Sequence, residues 1–200
     1  MHTYATNCPF HTKLTAVIAF IAAALSAFIG WAVTWIKDSW GFSVGGVSAM
    51  ATFGILYFIF NRWLWRIPLF RHILLVPDLN GVWICEGKTL SKDGAEVKYE
   101  WKADITITQS WSHISIVLKT AQSTSHSIAA SVYRCIGEGF RLIYHYDNTP
   151  KTDQPGLARH SGQCDLMFSD EISKADGNYF TNRDRLTYGI MRLTKKGTES

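Results

Sequence analysis

Two hundred residues with a formal net charge of +4 leave room for a membrane segment and one compact domain, not for two full domains. The positive excess is confined to the first 77 residues, where Lys13, Lys37, Arg62, Arg66 and Arg71 stand against Asp38 alone. Beyond them acidic and basic side chains balance, which excludes the broad basic face that a general DNA- or RNA-binding domain needs.

Residues 14–36 and 39–61 are two uncharged stretches separated only by Lys37 and Asp38. A helix rises about 1.5 Å per residue, so each stretch is long enough for a hydrocarbon core of roughly 30 Å. Residues 1–65 are therefore predicted to form a transmembrane helical hairpin that turns at Lys37 and Asp38. Arg62, Arg66 and Arg71 follow the second span and Lys13 precedes the first, so the positive-inside rule puts both termini in the cytoplasm. Trp31, Trp35 and Trp40 at one end, with Trp63 and Trp65 at the other, fit two interfacial aromatic belts. A cleaved signal peptide fits less well, because its apolar core is shorter and no second span follows it. The small pairs Ala23/Ala27 and Gly45/Ala49 predict close helix packing, within the hairpin or between copies. Residues 66–77, punctuated by Pro68 and Pro77, read as a linker along the membrane surface.

From residue 78 to 200 the helical period gives way to runs of β-branched and aromatic residues between Gly, Asn, Asp and Ser clusters. Strands are expected at 81–88, 96–108, 114–120, 126–136, 140–148, 160–168, 178–182 and 186–194. Turns are expected at Lys92-Asp93-Gly94, Gly137-Glu138-Gly139 and Asp176-Gly177. Eight antiparallel strands in sequence predict an all-β domain, a lipocalin-like up-and-down barrel without exposed edges, with a β-sandwich as the other option. Cys8, Cys85, Cys135 and Cys164 show no CxxC pair or zinc spacing and read as buried small apolar groups, so no metal is expected.

Period-2 alternation assigns the inward face. It runs Ile114, Ile116, Leu118, Thr120; Leu142, Tyr144, Tyr146; His160, Gly162, Cys164, Leu166, Phe168; then Tyr179, Thr181, Thr187, Gly189, Met191, Leu193. The face is apolar at the rim where the chain arrives, with Ile114, Leu142, Phe168 and Leu193. Toward the other rim it turns polar and aromatic: Thr120, Tyr144, Tyr146, His160, Tyr179, Thr181 and Thr187, with Ser125, Ser127, Arg183 and Arg185 at the mouth. An eight-stranded barrel either fills itself or holds one small ligand. Polar and aromatic groups above an apolar floor favour the ligand, and Gly162 and Gly189 are expected to leave room for it. Rings to stack on, hydroxyls, and two arginines able to chelate phosphate suit a small planar anion such as a nucleotide. Tyrosines filling the core and solvated turn arginines would give the same pattern without a ligand.

Several strings carry a resemblance: Asp78-Leu79-Asn80-Gly81-Val82-Trp83, Gln109-Ser110-Trp111-Ser112, Ser123-Thr124-Ser125-His126-Ser127, Tyr144-His145-Tyr146-Asp147-Asn148, and Tyr179-Phe180-Thr181-Asn182-Arg183 running on to Gly189. With the hairpin before them, they resemble the two-transmembrane, β-strand-rich effectors of CBASS, the cyclic-oligonucleotide anti-phage systems of bacteria. The resemblance implies a cytoplasmic barrel on the bacterial inner membrane that senses a cyclic dinucleotide made by a co-encoded nucleotidyltransferase. It further implies that the ligand promotes homo-oligomerisation, after which the hairpins disrupt the bilayer and kill the cell. No enzyme motif of the HExxH, nucleophile-elbow or phosphate-loop kind occurs, so catalysis is not expected. A membrane-tethered lipocalin-like carrier of a small hydrophobic ligand is the alternative.

Overall fold

The computed structural model describes residues 1–8, 10–40, 48–91, 94, 96–153, 158–182 and 186–197. The chain divides into a helical unit, Cys8–Leu74, and a β unit made of Met1–Asn7 and Leu75–Ser200.

In the helical unit α1 spans His11–Trp40 and α2 spans Ala49–Arg62. A 3-10 turn, Leu64–Arg66, and a short α3, Pro68–Leu74, follow. Helix α1 continues through Lys37 and Asp38 to Trp40, so the chain does not turn at the two residues where a hairpin turn was expected. The reason is simple: Lys and Asp do not break a helix, and Lys37 in the last turn suits the negative end of the helix dipole. Residues 41–47 of the expected second span, with Gly45 and Gly46, lie outside the described residues. Pro68 opens α3 instead of interrupting the chain, since a first-turn proline has no N–H to lose. Lys13–Ser39 is long and apolar enough to cross a membrane. Ala22 and Ile18 of α1 and Thr52 and Phe60 of α2 are buried, whereas Ala23 and Ala27 are exposed, so those two do not form the packed small face. Phe20, Phe28, Trp31, Trp35, Met50 and Phe58 are exposed, an apolar exterior that suits lipid.

The β unit contains nine strands among the described residues: β1 His2–Thr6, β2 Gly81–Leu90, β3 Val97–Gln109, β4 His113–Lys119, β5 Ser123–Cys135, β6 Gly139–Pro150, β7 His160–Phe168, β8 Lys174–Thr181 and β9 Tyr188–Lys195. Strands β2 to β9 pair antiparallel in sequence order, and β9 returns to β2, so the sheet closes into a ring. The expectation of eight strands is therefore short by one. Strands β4 and β5 pair only over Val117–Lys119 and Thr124–His126, and a bulge between Ser127 and Ala129 carries β5 away. Strand β1 fills the gap, antiparallel to β4 at His2↔Ile114 and parallel to β5 at Tyr4↔Ala130 to Thr6↔Val132.

Asp176 and Gly177 lie inside β8, not in a turn. The connection from β7 is made earlier, where Ile172 takes φ 55° and donates its N–H to Ser169 O at 2.9 Å. Gly177 serves a close approach instead: a Cβ there would lie 2.0 Å from Asp165 O.

Every residue assigned inward by alternation is buried or half-buried. At the end where β2 begins the interior is solid and apolar. Trp83 packs edge-on against Phe168, ring centroids 5.0 Å apart, and its Nε1 donates to Leu79 O at 3.1 Å. Buried Gln109 accepts the Leu79 N–H at 3.0 Å and donates through Nε2 to Tyr4 OH at 3.3 Å. Asn80 exchanges two bonds with the Gln109 backbone, at 2.7 and 3.0 Å, so the Asp78–Trp83 string works as a plug for this end.

Candidate functional site

At the opposite end, between β3 to β9 and beside the β4–β5 turn, a cavity of about 460 Å³ opens. That size is within the usual range for small-molecule sites. Of the residues proposed from sequence, Thr120, Ser125, Tyr144, Tyr146, His160, Tyr179, Thr181 and Thr187 line it. Ser127 does not. The β5 bulge sends its hydroxyl to His2 Nε2 at 2.8 Å and to the Ile116 N–H at 2.9 Å, so it fastens β1 instead of facing a ligand. Arg183 and Arg185 lie outside the described residues.

Several of the lining groups are engaged with the protein. Tyr179 OH and Thr89 Oγ1 share a hydrogen bond of 2.5 Å. Thr181 Oγ1 accepts the Thr187 N–H at 2.8 Å and lies 3.0 Å from Thr187 Oγ1, clamping the base of the β8–β9 connection. Thr120 Oγ1 accepts the N–H groups of Ser123 and Gln122, at 2.9 and 3.1 Å, and closes the β4–β5 turn. His160 Nδ1 is 3.2 Å from Ala158 O, an acceptor only, so Nδ1 carries the proton. These bonds hold the wall in one arrangement before anything binds.

Sequence reasoning missed Trp101, Tyr99 and Asn148, all of which line the cavity. The signal was present. Tyr99 and Trp101 continue the alternation of Ala103, Ile105 and Ile107, and Asn148 is the next inward position after Leu142, Tyr144 and Tyr146. The Trp101 ring lies over Gly87, where a Cβ would be 2.1 Å from it, and meets Tyr179 edge-on with centroids 5.6 Å apart. Two aromatic faces of differing orientation thus border the mouth. Strand β3 pairs with β4 only over Asp104–Gln109, and the lining reaches Glu100, Lys102, Ala121 and Gln122, so the cavity extends toward this gap in the ring.

The described lining is electrically quiet. Lys102 is paired with Glu86 at 3.1 Å and Glu100 with Lys88 at 2.7 Å. Burial pushes the thiols of Cys164 in the lining and of Cys85 in the core up to about 12, and burial likewise raises Tyr144 well above the usual phenol value. All three are therefore neutral at physiological pH. Protonated thiols are poor nucleophiles, so this pair packs rather than reacts.

Residues 74–195, which include every lining residue, match the family model described as Cap15, cyclic dinucleotide receptor domain. Residues 12–66 match the one described as Cap15, TM helices. The chain belongs to the Cap15 family. Among curated Cap15 relatives, a CD-NTase-associated protein 15 of Yersinia aleksiciae is 31% identical over 207 residues, covering 97% of each chain. One of Escherichia albertii is 28% identical over 162 residues, covering 74% of this chain and 78% of its own. Strand β1 lies outside both family-model matches.

Proposed function

We propose that this chain is a membrane-anchored effector of CBASS immunity whose β unit, an up-and-down barrel of lipocalin-like plan completed by β1, binds a cyclic dinucleotide. The observation that carries the reading is the cavity itself: about 460 Å³, aromatic and hydroxyl-lined at the mouth, closed below by Trp83 and Phe168, and held within the receptor-domain match. The ligand is made by a co-encoded nucleotidyltransferase. Trp101 and Tyr179 offer surfaces for bases, and Arg183 and Arg185 of the β8–β9 connection supply phosphate contacts. Buried polar groups such as Asn148, Ser125 and His160 suit this ligand better than the apolar one of the carrier reading.

The ring also bears on topology. Strand β1 precedes the helical unit and β2–β9 follow it, yet all belong to one hydrogen-bonded sheet. A sheet cannot be split by a bilayer, so the chain between them crosses an even number of times. This supports a two-pass anchor with both termini on one side, and the arginines after α2 make that side the cytoplasm of a bacterial inner membrane. A ligand then drives homo-oligomerisation only by binding the assembled state more tightly than the resting one, and the gathered helices disturb the lipid.

Two measurements test this. In nanodiscs, one of cyclic di-AMP, cyclic di-GMP, cyclic GMP–AMP and cyclic di-UMP should raise the thermal midpoint of the full chain, because ligand at a hundred times Kd adds about 2.7 kcal/mol. Trp101→Ala should remove the rise, and a panel without any shift would end the receptor reading. In cells with the activated nucleotidyltransferase, the full chain should admit propidium iodide. A variant lacking residues 10–66, with β1 joined to the β unit by a flexible linker, should bind ligand without dye uptake; dye uptake by it would clear the helices of the killing role.

A further inference from the structure

Asn148, on β6 beside the mouth, is 5% exposed and lines the cavity. Its Nδ2 donates to Ser125 Oγ at 2.7 Å and to Ser123 Oγ at 3.0 Å, which occupies both amide hydrogens. Its carbonyl oxygen, Oδ1, is buried and has no hydrogen-bond partner among the described residues. A buried acceptor left unpaired costs about 1–3 kcal/mol, and native structures keep few of them without a reason. The two serines hold the other end of the amide, and Oδ1 is shielded from solvent, so a ligand reaches it only as the side chains in front of it give way.

We propose that Asn148 is the base-reading residue of this cavity, its Oδ1 accepting an N–H from a nucleobase of the bound ligand. The inference rests on the cyclic-dinucleotide reading of the site and sharpens it. With Nδ2 engaged, Asn148 is not available for the two-point contact an asparagine makes to adenine N6 and N7. It reads one donor and is indifferent to ring acceptors. A ligand lacking that donor forgoes one hydrogen bond, because the buried oxygen then stays unpaired in the complex as well. The neighbouring walls suit a base in this place: Tyr146 is the preceding inward residue of the same strand, and His160 is the register partner of Asn148 on β7.

The test is a chemical double-mutant cycle on the full chain in nanodiscs. The probes are cyclic di-AMP, cyclic di-GMP and cyclic di-UMP. Each is measured beside analogues missing one base N–H: hydrogen for the adenine 6-amine, hydrogen for the guanine 2-amine or methyl at guanine N1, and methyl at uracil N3. For the base that is read, loss of the donor should weaken wild-type binding about tenfold. Asn148→Ala should weaken the parent ligand to the same degree and bind parent and analogue within about twofold of each other. Asn148→Asp, which keeps the acceptor, should preserve the discrimination between parent and analogue. Wild-type binding with the discrimination unchanged in Asn148→Ala would overturn the role of Asn148 and leave the receptor reading standing. Sensitivity to 7-deaza or 1-deaza adenine in place of the amine would mean the residue donates, and would also overturn it. Failure of the wild type to bind any probe would overturn both readings together.

Discussion

Deleting residues 1–6 should lower the thermal midpoint of the β unit by roughly 10–20 °C, more than any single substitution in the cavity wall. Tyr4 is 7% exposed and belongs to the main core cluster. Removing an aromatic side chain from such a site costs about 3–5 kcal/mol. The bonds from Gln109 Nε2 to Tyr4 OH and between His2 Nε2 and Ser127 Oγ go with it. The lower halves of β4 and β5 would then face each other across an empty slot, two bare edges inviting aggregation. Natural domains hold only about 5–15 kcal/mol in total, so this is a large share. Tryptophan fluorescence melts of the full chain in nanodiscs, with Tyr4→Ala as an intermediate variant, measure it. A midpoint within about 3 °C of wild type would mean the ring closes without β1. A soluble fragment starting at residue 78 lacks the same strand, and should melt lower than one that carries residues 1–7 on a linker.

That strand shows where the sequence stops being readable. Its partners are more than a hundred residues away, and five residues ahead of an apolar run carry little periodic signal of their own. Where one face of a long strand is buried, the opposite holds. In β7, alternation places His160, Gly162, Cys164, Leu166 and Phe168 on one side, and all five are buried. A slip by one residue would expose the whole set, so the pattern is stringent. Local turn chemistry was less dependable: Asp176-Gly177 has the composition of a hairpin turn, but its glycine is there because the β7 backbone passes within 2.0 Å of where a Cβ would be. The cavity's position was legible because polarity changes along the inward face, and Ser127 was misplaced because a bulge cannot be seen from period alone. Trp101 was missed for a different reason, since β3 was never assigned an inward face although Ala103, Ile105 and Ile107 define one.

Gly162→Ala should both destabilise the β unit and weaken ligand binding, and the reason corrects the expectation that Gly162 and Gly189 are gaps kept open for a ligand. The space over Gly162 is already taken: a Cβ would lie 2.4 Å from both Tyr146 OH and Phe180 O. At Gly189 it would lie 2.0 Å from Lys88 O and 2.8 Å from Tyr179 Cε1. The glycines let two strands come close and leave the space that the Tyr146 and Tyr179 rings occupy, and the cavity is what remains beside those rings. A methyl at 162 cannot move the Phe180 carbonyl without stretching the β7–β8 ladder, so Tyr146 must lift toward the ligand's space. Overpacking of this kind costs about 1–3 kcal/mol. Binding of a cyclic dinucleotide should fall by roughly tenfold, equivalent to about 1.4 kcal/mol. The double variant Gly162→Ala/Tyr146→Leu separates the two clashes. If the ring is what gives way, the pair is less destabilised than the sum of the single variants, by at least about 0.5 kcal/mol in denaturant melts. Additive losses would place the strain in the Phe180 carbonyl instead, and Gly162 would then act on the ladder between β7 and β8, with no path through Tyr146 to the ligand.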